Sequence, residues 1–122
     1  LAAMAQDWFR LGMIEDRLQR SEEAAEHLRR ALSMKVPDAR HRLLIHFYLA
    51  RALARMGDRE GAAEQAAQLR RLKGGLEEWE KILENEQAET LRGVLGEDIR
   101  LAAMLIDGRL TPEALAEAST GT

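Results

Sequence analysis

Residues 8–32 read WFRLGMIEDRLQRSEEAAEHLRRAL, and this segment predicts how the first two helices pack. Apolar side chains recur in it at helical spacing, yet Gly12 stands inside the first helical segment. Glycine in a helix interior costs about 1 kcal/mol relative to alanine, so a packing reason is required. We predict that a second helix, beginning at Ser21 and followed by two glutamates, packs closely against the first helix at Gly12.

The composition fits a single all-α domain. The chain has 122 residues, enough to bury about two thirds of the surface of its unfolded form. Twenty alanines and only two prolines favour helix, and the lack of cysteine excludes disulfides and thiolate metal sites. No apolar run approaches the roughly 18 residues that a membrane span requires. We therefore expect a soluble chain without membrane insertion; its compartment stays open, with the cytoplasm slightly favoured.

Charge is distributed unevenly along the chain. Residues 1–60 carry 11 basic and 9 acidic side chains, whereas residues 61–122 carry 7 basic and 12 acidic ones. Nucleic-acid binding requires a concentrated basic face, so we expect no nucleic-acid partner. The chain begins with Leu1, which suggests that it is a piece of a longer protein.

Capping and breaking signals divide the chain into seven predicted helices without a strand candidate. Gly74-Gly75 and Gly96 are expected to end helices, and Thr111 followed by Pro112 marks the start of the last one. The first six predicted helices span 2–18, 21–34, 38–56, 58–72, 76–94 and 97–106.

When the sequence is aligned with itself so that Leu11 pairs with Leu49, small residues pair with small residues. We call this displacement, from position 11 to position 49, the repeat shift. Helix axes approach to about 8–10 Å where the side chains at the crossing are small. We therefore predict two antiparallel helical hairpins with similar crossings. The matching pairs are Leu11 and Leu49, Gly12 and Ala50, Ala24 and Ala62, and Ala25 and Ala63.

These residues resemble the tetratricopeptide repeat (TPR), a helix–turn–helix unit of about 34 residues with a Trp-x2-Leu-Gly signature followed by small residues. The resemblance covers two units at about 5–72. The repeat shift exceeds the family period by four, which predicts one extra turn at the start of the third helix. Signature positions fall on Trp8, Leu11, Gly12 and Ala24 in the first unit and on Ala50 and Ala62 in the second.

The resemblance implies a fold and a domain organisation. Residues 1–73 would form two antiparallel hairpins stacked in an α-solenoid. Residues 76–120 would be either C-terminal capping helices or a degenerate third repeat, within the same structural domain. An array of this kind presents a concave surface to partners rather than a catalytic pocket.

Residues typical of catalysis, metal binding or cofactor binding do not form a recognisable pattern. The three histidines, His27, His41 and His46, show neither a His-x3-His nor a His-Glu-x-x-His spacing. Ser21 and Thr111 are better explained as helix caps than as nucleophiles. We therefore predict no enzyme, no metal and no cofactor.

The resemblance also predicts a binding surface, which we call the concave strip. In the family, the first helix of each unit lines the groove, and the corresponding positions run at i, i+4 and i+8. The repeat shift would place the two aromatic rings side by side, and likewise the last two arginines. A strip that is apolar at one end and basic at the other suits a peptide or helical segment with apolar and acidic residues. The six residues are Phe9, Met13, Arg17, Phe47, Arg51 and Arg55.

Two questions stay open at this stage. The concave strip is either free for a partner or covered by the predicted helix at 76–94, whose glutamates could meet the arginines. The chain is either a protein-interaction and assembly module or a purely structural or self-associating domain of a larger protein. Less favoured is a truncated DNA-binding regulator, because residues 99–120 resemble the first two helices of a helix-turn-helix domain without a recognition helix.

Overall fold

The computed structural model describes residues 4–36 and 38–117, and these residues are all-helical without a strand, as predicted. None of the helices in this part of the chain combines the length and the apolar character needed to cross a bilayer. In chain order the helices are α1 (Ala5–Arg17), α2 (Ser21–Ser33), α3 (Ala39–Arg55), α4 (Arg59–Arg70), α5 (Lys73–Glu84), α6 (Glu89–Ile106) and α7 (Pro112–Leu115), with a 3-10 turn at Glu86–Ala88.

The first four helices form two hairpins closed by equivalent turns. Helix α1 packs on α2, α3 packs on α4, and α2 also packs on α3. Each hairpin has a three-residue turn, so its helices run antiparallel. The left-handed residues of the two turns, Gln19 (φ 58°) and Gly57 (φ 81°), are related by the repeat shift. The backbone bonds of Arg20 to Glu15 and of Asp58 to Leu53 follow the same shift.

Helix α3 is one turn longer than its equivalent. The repeat shift carries α1 onto positions 43–55, whereas α3 spans Ala39–Arg55, so the predicted extra turn lies at its start. Asp38 caps this turn, because its carboxylate accepts a hydrogen bond of 2.9 Å from the backbone N–H of Arg40. Helix α5 docks there, where the indole Nε1 of Trp79 donates to the carbonyl oxygen of Arg40 at 2.9 Å.

The predicted boundaries in the second half of the chain are wrong. A single helix at 76–94 does not form, because α5 ends at Glu84 and Asn85 caps the following 3-10 turn by accepting from the N–H of Gln87. Gly96 does not end a helix either, since α6 runs through it. Gly74-Gly75 lies in the first turn of α5 rather than between helices.

Helix α3 is the centre of the molecule. Every residue from Leu43 to Leu53 is buried, and α1, α2, α4, α5 and α7 all pack on it. A helix that is surrounded by others can be apolar on all sides, which is why α3 lacks a solvent stripe over this length. The C-terminal helices α5 and α7 therefore cover parts of α3 that the first hairpin and α4 leave free.

Candidate functional site

The concave strip lies beneath the chain's own C-terminal helices. Helices α5 and α6 contribute Trp79, Leu91 and Leu95 to the surroundings of the strip's apolar end. The covered alternative is therefore the arrangement that the structure has. Phe9, Phe47 and Arg51 are buried, Met13 and Arg55 are partly buried, and Arg17 lies at the exposed rim.

A buried charge network occupies the basic end of the strip. The guanidinium of Arg51 binds Asp16 of α1 through two hydrogen bonds, Nε to Oδ1 at 3.2 Å and Nη2 to Oδ2 at 2.6 Å. The same Nη2 donates to Oδ1 of Asp98 in α6 at 3.3 Å. The hydroxyl of Tyr48 donates to the other oxygen of Asp98 at 2.7 Å. One arginine of α3 thus connects α1 with α6.

The two remaining arginines of the strip extend this network. Arg55 donates through Nη1 to the carbonyl oxygen and to Oδ1 of Asp16, at 3.1 and 3.2 Å. Arg17 donates to the carbonyl oxygen of Val94 at 2.9 Å and lies 3.6 Å from Oδ2 of Asp98. The carboxylates that meet the arginines are therefore aspartates of α1 and α6, and not the glutamates of the predicted 76–94 helix. Those glutamates belong to exposed faces.

Burial and the neighbouring charges shift the pKa of three members of the network. Burial lowers the pKa of Arg51, but its hydrogen bonds to Asp16 and the charge of that carboxylate raise it overall. Burial and the neighbouring Asp98 raise the pKa of Tyr48 well above its usual value, so its hydroxyl stays a donor. Burial lowers the pKa of Arg55, against the attraction of Asp16. The arrangement is suited to holding helices together or gripping a carboxylate, and it offers no activated nucleophile.

The apolar end of the strip differs from the predicted arrangement. The ring of Phe9 stacks with Tyr48 at 6.2 Å between centroids, so the aromatic pair across the hairpins is not the predicted Phe9 with Phe47. Phe47 instead packs edge to face against Tyr48 at 5.4 Å and lies 5.0 Å below the guanidinium of Arg51. A cavity of about 300 Å³ adjoins Phe9, His41 and other residues at the starts of α1 and α3.

The structural signature residues mostly lie where close packing requires them. A methyl group added at Gly12 would come within 2.6 Å of Cγ of Leu28, so this glycine does mark a close approach of α1 and α2. Trp8 is half-buried and stacks on His27 at 5.3 Å. Leu11 departs from the expectation, because it is 38% exposed. Ala24, Ala50 and Ala62 are at most 1% exposed.

Three members of the network, Asp16, Tyr48 and Asp98, were not among the predicted site residues. On a helical wheel Asp16 lies on the same side of α1 as Phe9, and that apolar-facing position was the available signal. Nothing in the local sequence marks Asp98. Within residues 4–36 and 38–117, no group of three or more histidines and carboxylates is placed to hold a metal ion.

Comparison of the chain with protein-family models, with curated proteins and with solved structures finds no match in any of the three searches.

Proposed function

We propose that this chain is a TPR-like protein-interaction and assembly module, whose concave strip binds a helical segment in competition with its own α6. The observation that carries the proposal is the hydrogen bond from Arg51 to the carboxylate of Asp98 in α6. The equivalent turns and the close approach at Gly12 support stacked hairpins of the TPR-like type.

Helix α6 indicates the chemistry of the external partner. It places Leu95, Asp98 and Ile99 on one buried face, with exposures of 5%, 1% and 4%. This spacing joins two aliphatic side chains and one carboxylate on a single helix side. The partner would therefore be an amphipathic helix with the pattern aliphatic-x-x-Asp-aliphatic. The strip's arginines would recognise its carboxylate, and Tyr48 would donate to it.

The proposal can be tested with a labelled peptide of residues 89–106 and the full chain. Only molecules in which α6 leaves the strip free can bind the peptide. The apparent affinity therefore falls in proportion to the fraction of such molecules. Asp98→Asn weakens the intramolecular grip, so this variant should bind the peptide about tenfold more tightly than the unmodified chain. Fluorescence anisotropy measures the binding, and circular dichroism confirms that the variant remains helical.

Two controls sharpen this experiment. Glu97 is the exposed neighbour of Asp98 and, among the described residues, forms its ion pair with Arg100, so Glu97→Gln should leave peptide binding unchanged. A peptide carrying asparagine in place of Asp98 should bind the Asp98→Asn chain more weakly than the natural peptide does. Equal binding of the two peptides, or no binding by any variant, would refute the proposal.

A purely structural, self-associating domain is the second candidate. The observation that favours it lies away from the strip, on a face of α1 that no other described helix covers.

A further inference from the structure

Helix α1 and the residue that caps its C-terminus carry an apolar face that no other helix in the described part of the chain covers. Leu11, Ile14 and Leu18, spaced at i, i+3 and i+7, are 38%, 52% and 58% exposed. On a helical wheel this face lies opposite Phe9 and Asp16, which point towards α3. Of the seven large hydrophobic side chains that are exposed among the described residues, five belong to the first hairpin and its ends.

The internal repeat shows what such a face contacts when it is covered. The repeat shift relates Leu11 and Ile14 to Leu49 and Ala52 of α3, which are each 1% exposed. Helix α5 meets α3 at Ala39 and Arg40, on the other side of α3. On a helical wheel α1 lies on the side of Arg51 and α4 on the side of His46, so the side with Leu49 and Ala52 remains for α2 and α7, which also pack on α3.

The partner face of that internal interface also has an uncovered equivalent. Ala25 of α2 is 2% exposed, whereas Ala63, its equivalent in α4, is exposed to solvent. Helix α5 follows α4 in the chain but packs on α3 and α6. Helices α6 and α7 pack on α4 but leave Ala63 exposed, so among the described residues the equivalents of both halves of the α2–α3 interface are open to solvent, one on α1 and the other on α4.

Charges agree with the same register. Because α2 and α3 are consecutive and antiparallel, the end of α2, which carries Leu32, lies near the start of α3, where Ile45 stands in the second turn. Applied forward, the repeat shift carries Leu32 to Arg70 of α4. Applied backward, it carries Ile45 to Asp7 of α1, so residues of opposite charge stand at the two equivalent positions. Both are exposed, and Arg70 has no ion pair within the described part of the chain.

We propose that a second copy of this chain stacks head to tail on the first, with α4 of one copy against α1 of the next in the register of the internal α2–α3 interface. Two different surfaces meet in this contact, so each added copy leaves a free end and the assembly grows beyond a dimer. The concave strip takes no part in it. The inference shares the internal repeat with the proposed function, but its test does not depend on peptide binding.

Sedimentation velocity over a concentration series tests the stacking. The average mass of the unmodified chain should rise past that of a dimer. Ile14→Glu and Ala63→Glu each place a charge in the contact and should weaken association about tenfold or more. Val94→Glu, at a side chain 44% exposed on α6, is the matched control and should associate normally. Circular dichroism confirms that all three variants are folded.

Mixing the two variants separates head-to-tail stacking from a symmetric contact. The Ile14→Glu chain keeps its α4 surface and the Ala63→Glu chain keeps its α1 surface, so an equimolar mixture should form dimers and nothing larger. Asp7→Arg and Arg70→Asp should each weaken association, and combining both in one chain should restore it. A chain that stays monomeric at every concentration, or a mixture without dimers, overturns the proposal; the face on α1 would then belong to a different protein.

Discussion

Arg51 and Asp16 form a two-point ion pair from which solvent is excluded, with both side chains 0% exposed. They lie 35 residues apart on α3 and α1. Desolvating two such charges is unfavourable unless the geometry and the additional hydrogen bonds compensate, and Asp98 and Arg55 provide those bonds. The pair therefore fixes the register of the first two hairpins, because any shift would leave a buried charge unpaired.

Removing one partner should therefore be more harmful than removing both. Asp16→Ala leaves Arg51 buried with less compensation and should lower the free energy of unfolding by about 3–5 kcal/mol. Adding Arg51→Met to this variant should restore part of the loss. Urea denaturation measures Asp16→Ala, Arg51→Met and the double variant, with Glu97→Ala as an exposed ion-pair control of small effect. Strictly additive losses would contradict the coupling.

Two helix-interior glycines should respond to alanine in opposite directions. At Gly12 the new methyl group would meet the buried Leu28, so Gly12→Ala should destabilise the protein by about 1–3 kcal/mol. At Gly93 a methyl group meets nothing within 4 Å, and Gly93→Ala should stabilise by about 0.5–1 kcal/mol through helix propensity. Thermal and urea unfolding test both. A stable Gly12→Ala variant would mean that α1 and α2 do not approach closely there.

The docking of α5 can be tested with two adjacent glycines. A methyl group at Gly75 would lie 2.7 Å from the carbonyl oxygen of Ala39, which is backbone and cannot move aside easily. Gly75→Ala should therefore loosen α5 and speed hydrogen exchange over residues 73–84. Gly74→Ala has open space around it and should leave exchange unchanged or slower. Identical exchange in the two variants would argue against the close contact.

His46 should make stability depend on pH. Burial lowers its pKa in the folded state below the usual 6.5, although the hydrogen bond to Gln65 acts in the opposite direction. The unfolded chain therefore takes up the proton first, so His46's contribution is fully present above about pH 6.5 and is lost as pH falls through the folded pKa. Unfolding free energies from pH 5 to 8 should vary less for His46→Leu than for the unmodified chain. An unchanged pH profile would show that the His46 pKa is not lowered.

Features that depend on local spacing could be predicted from the sequence. The close approach at Gly12 followed from small residues that recur under the repeat shift, and the extra turn of α3 followed from the surplus of that shift over the family period. Both are visible because helix spacing and repeat length are properties of the chain itself. The predicted start of α1 at residue 2 lies outside the described residues, and the other bounds of α1 to α4 agree with prediction within two residues.

Features that depend on distant contacts could not be predicted in this way. The break at Asn85 has neither glycine nor proline to signal it, and the glycine at position 96 gives a false signal because α6 tolerates it. Asp98 lies between exposed charged residues in the sequence, so it resembles a surface carboxylate until Arg51 is placed beside it, 47 residues away.

The separation of Arg51 and Asp98 along the sequence also means that they are synthesised at different times. A ribosome adds about 5–20 residues per second, so roughly 2–10 s pass between the synthesis of Arg51 and that of Asp98. During this interval the nascent hairpins carry Phe47, Tyr48 and Arg51 without the cover of α6. Any segment that binds the strip has its least contested access then, before the chain's own carboxylate has been made.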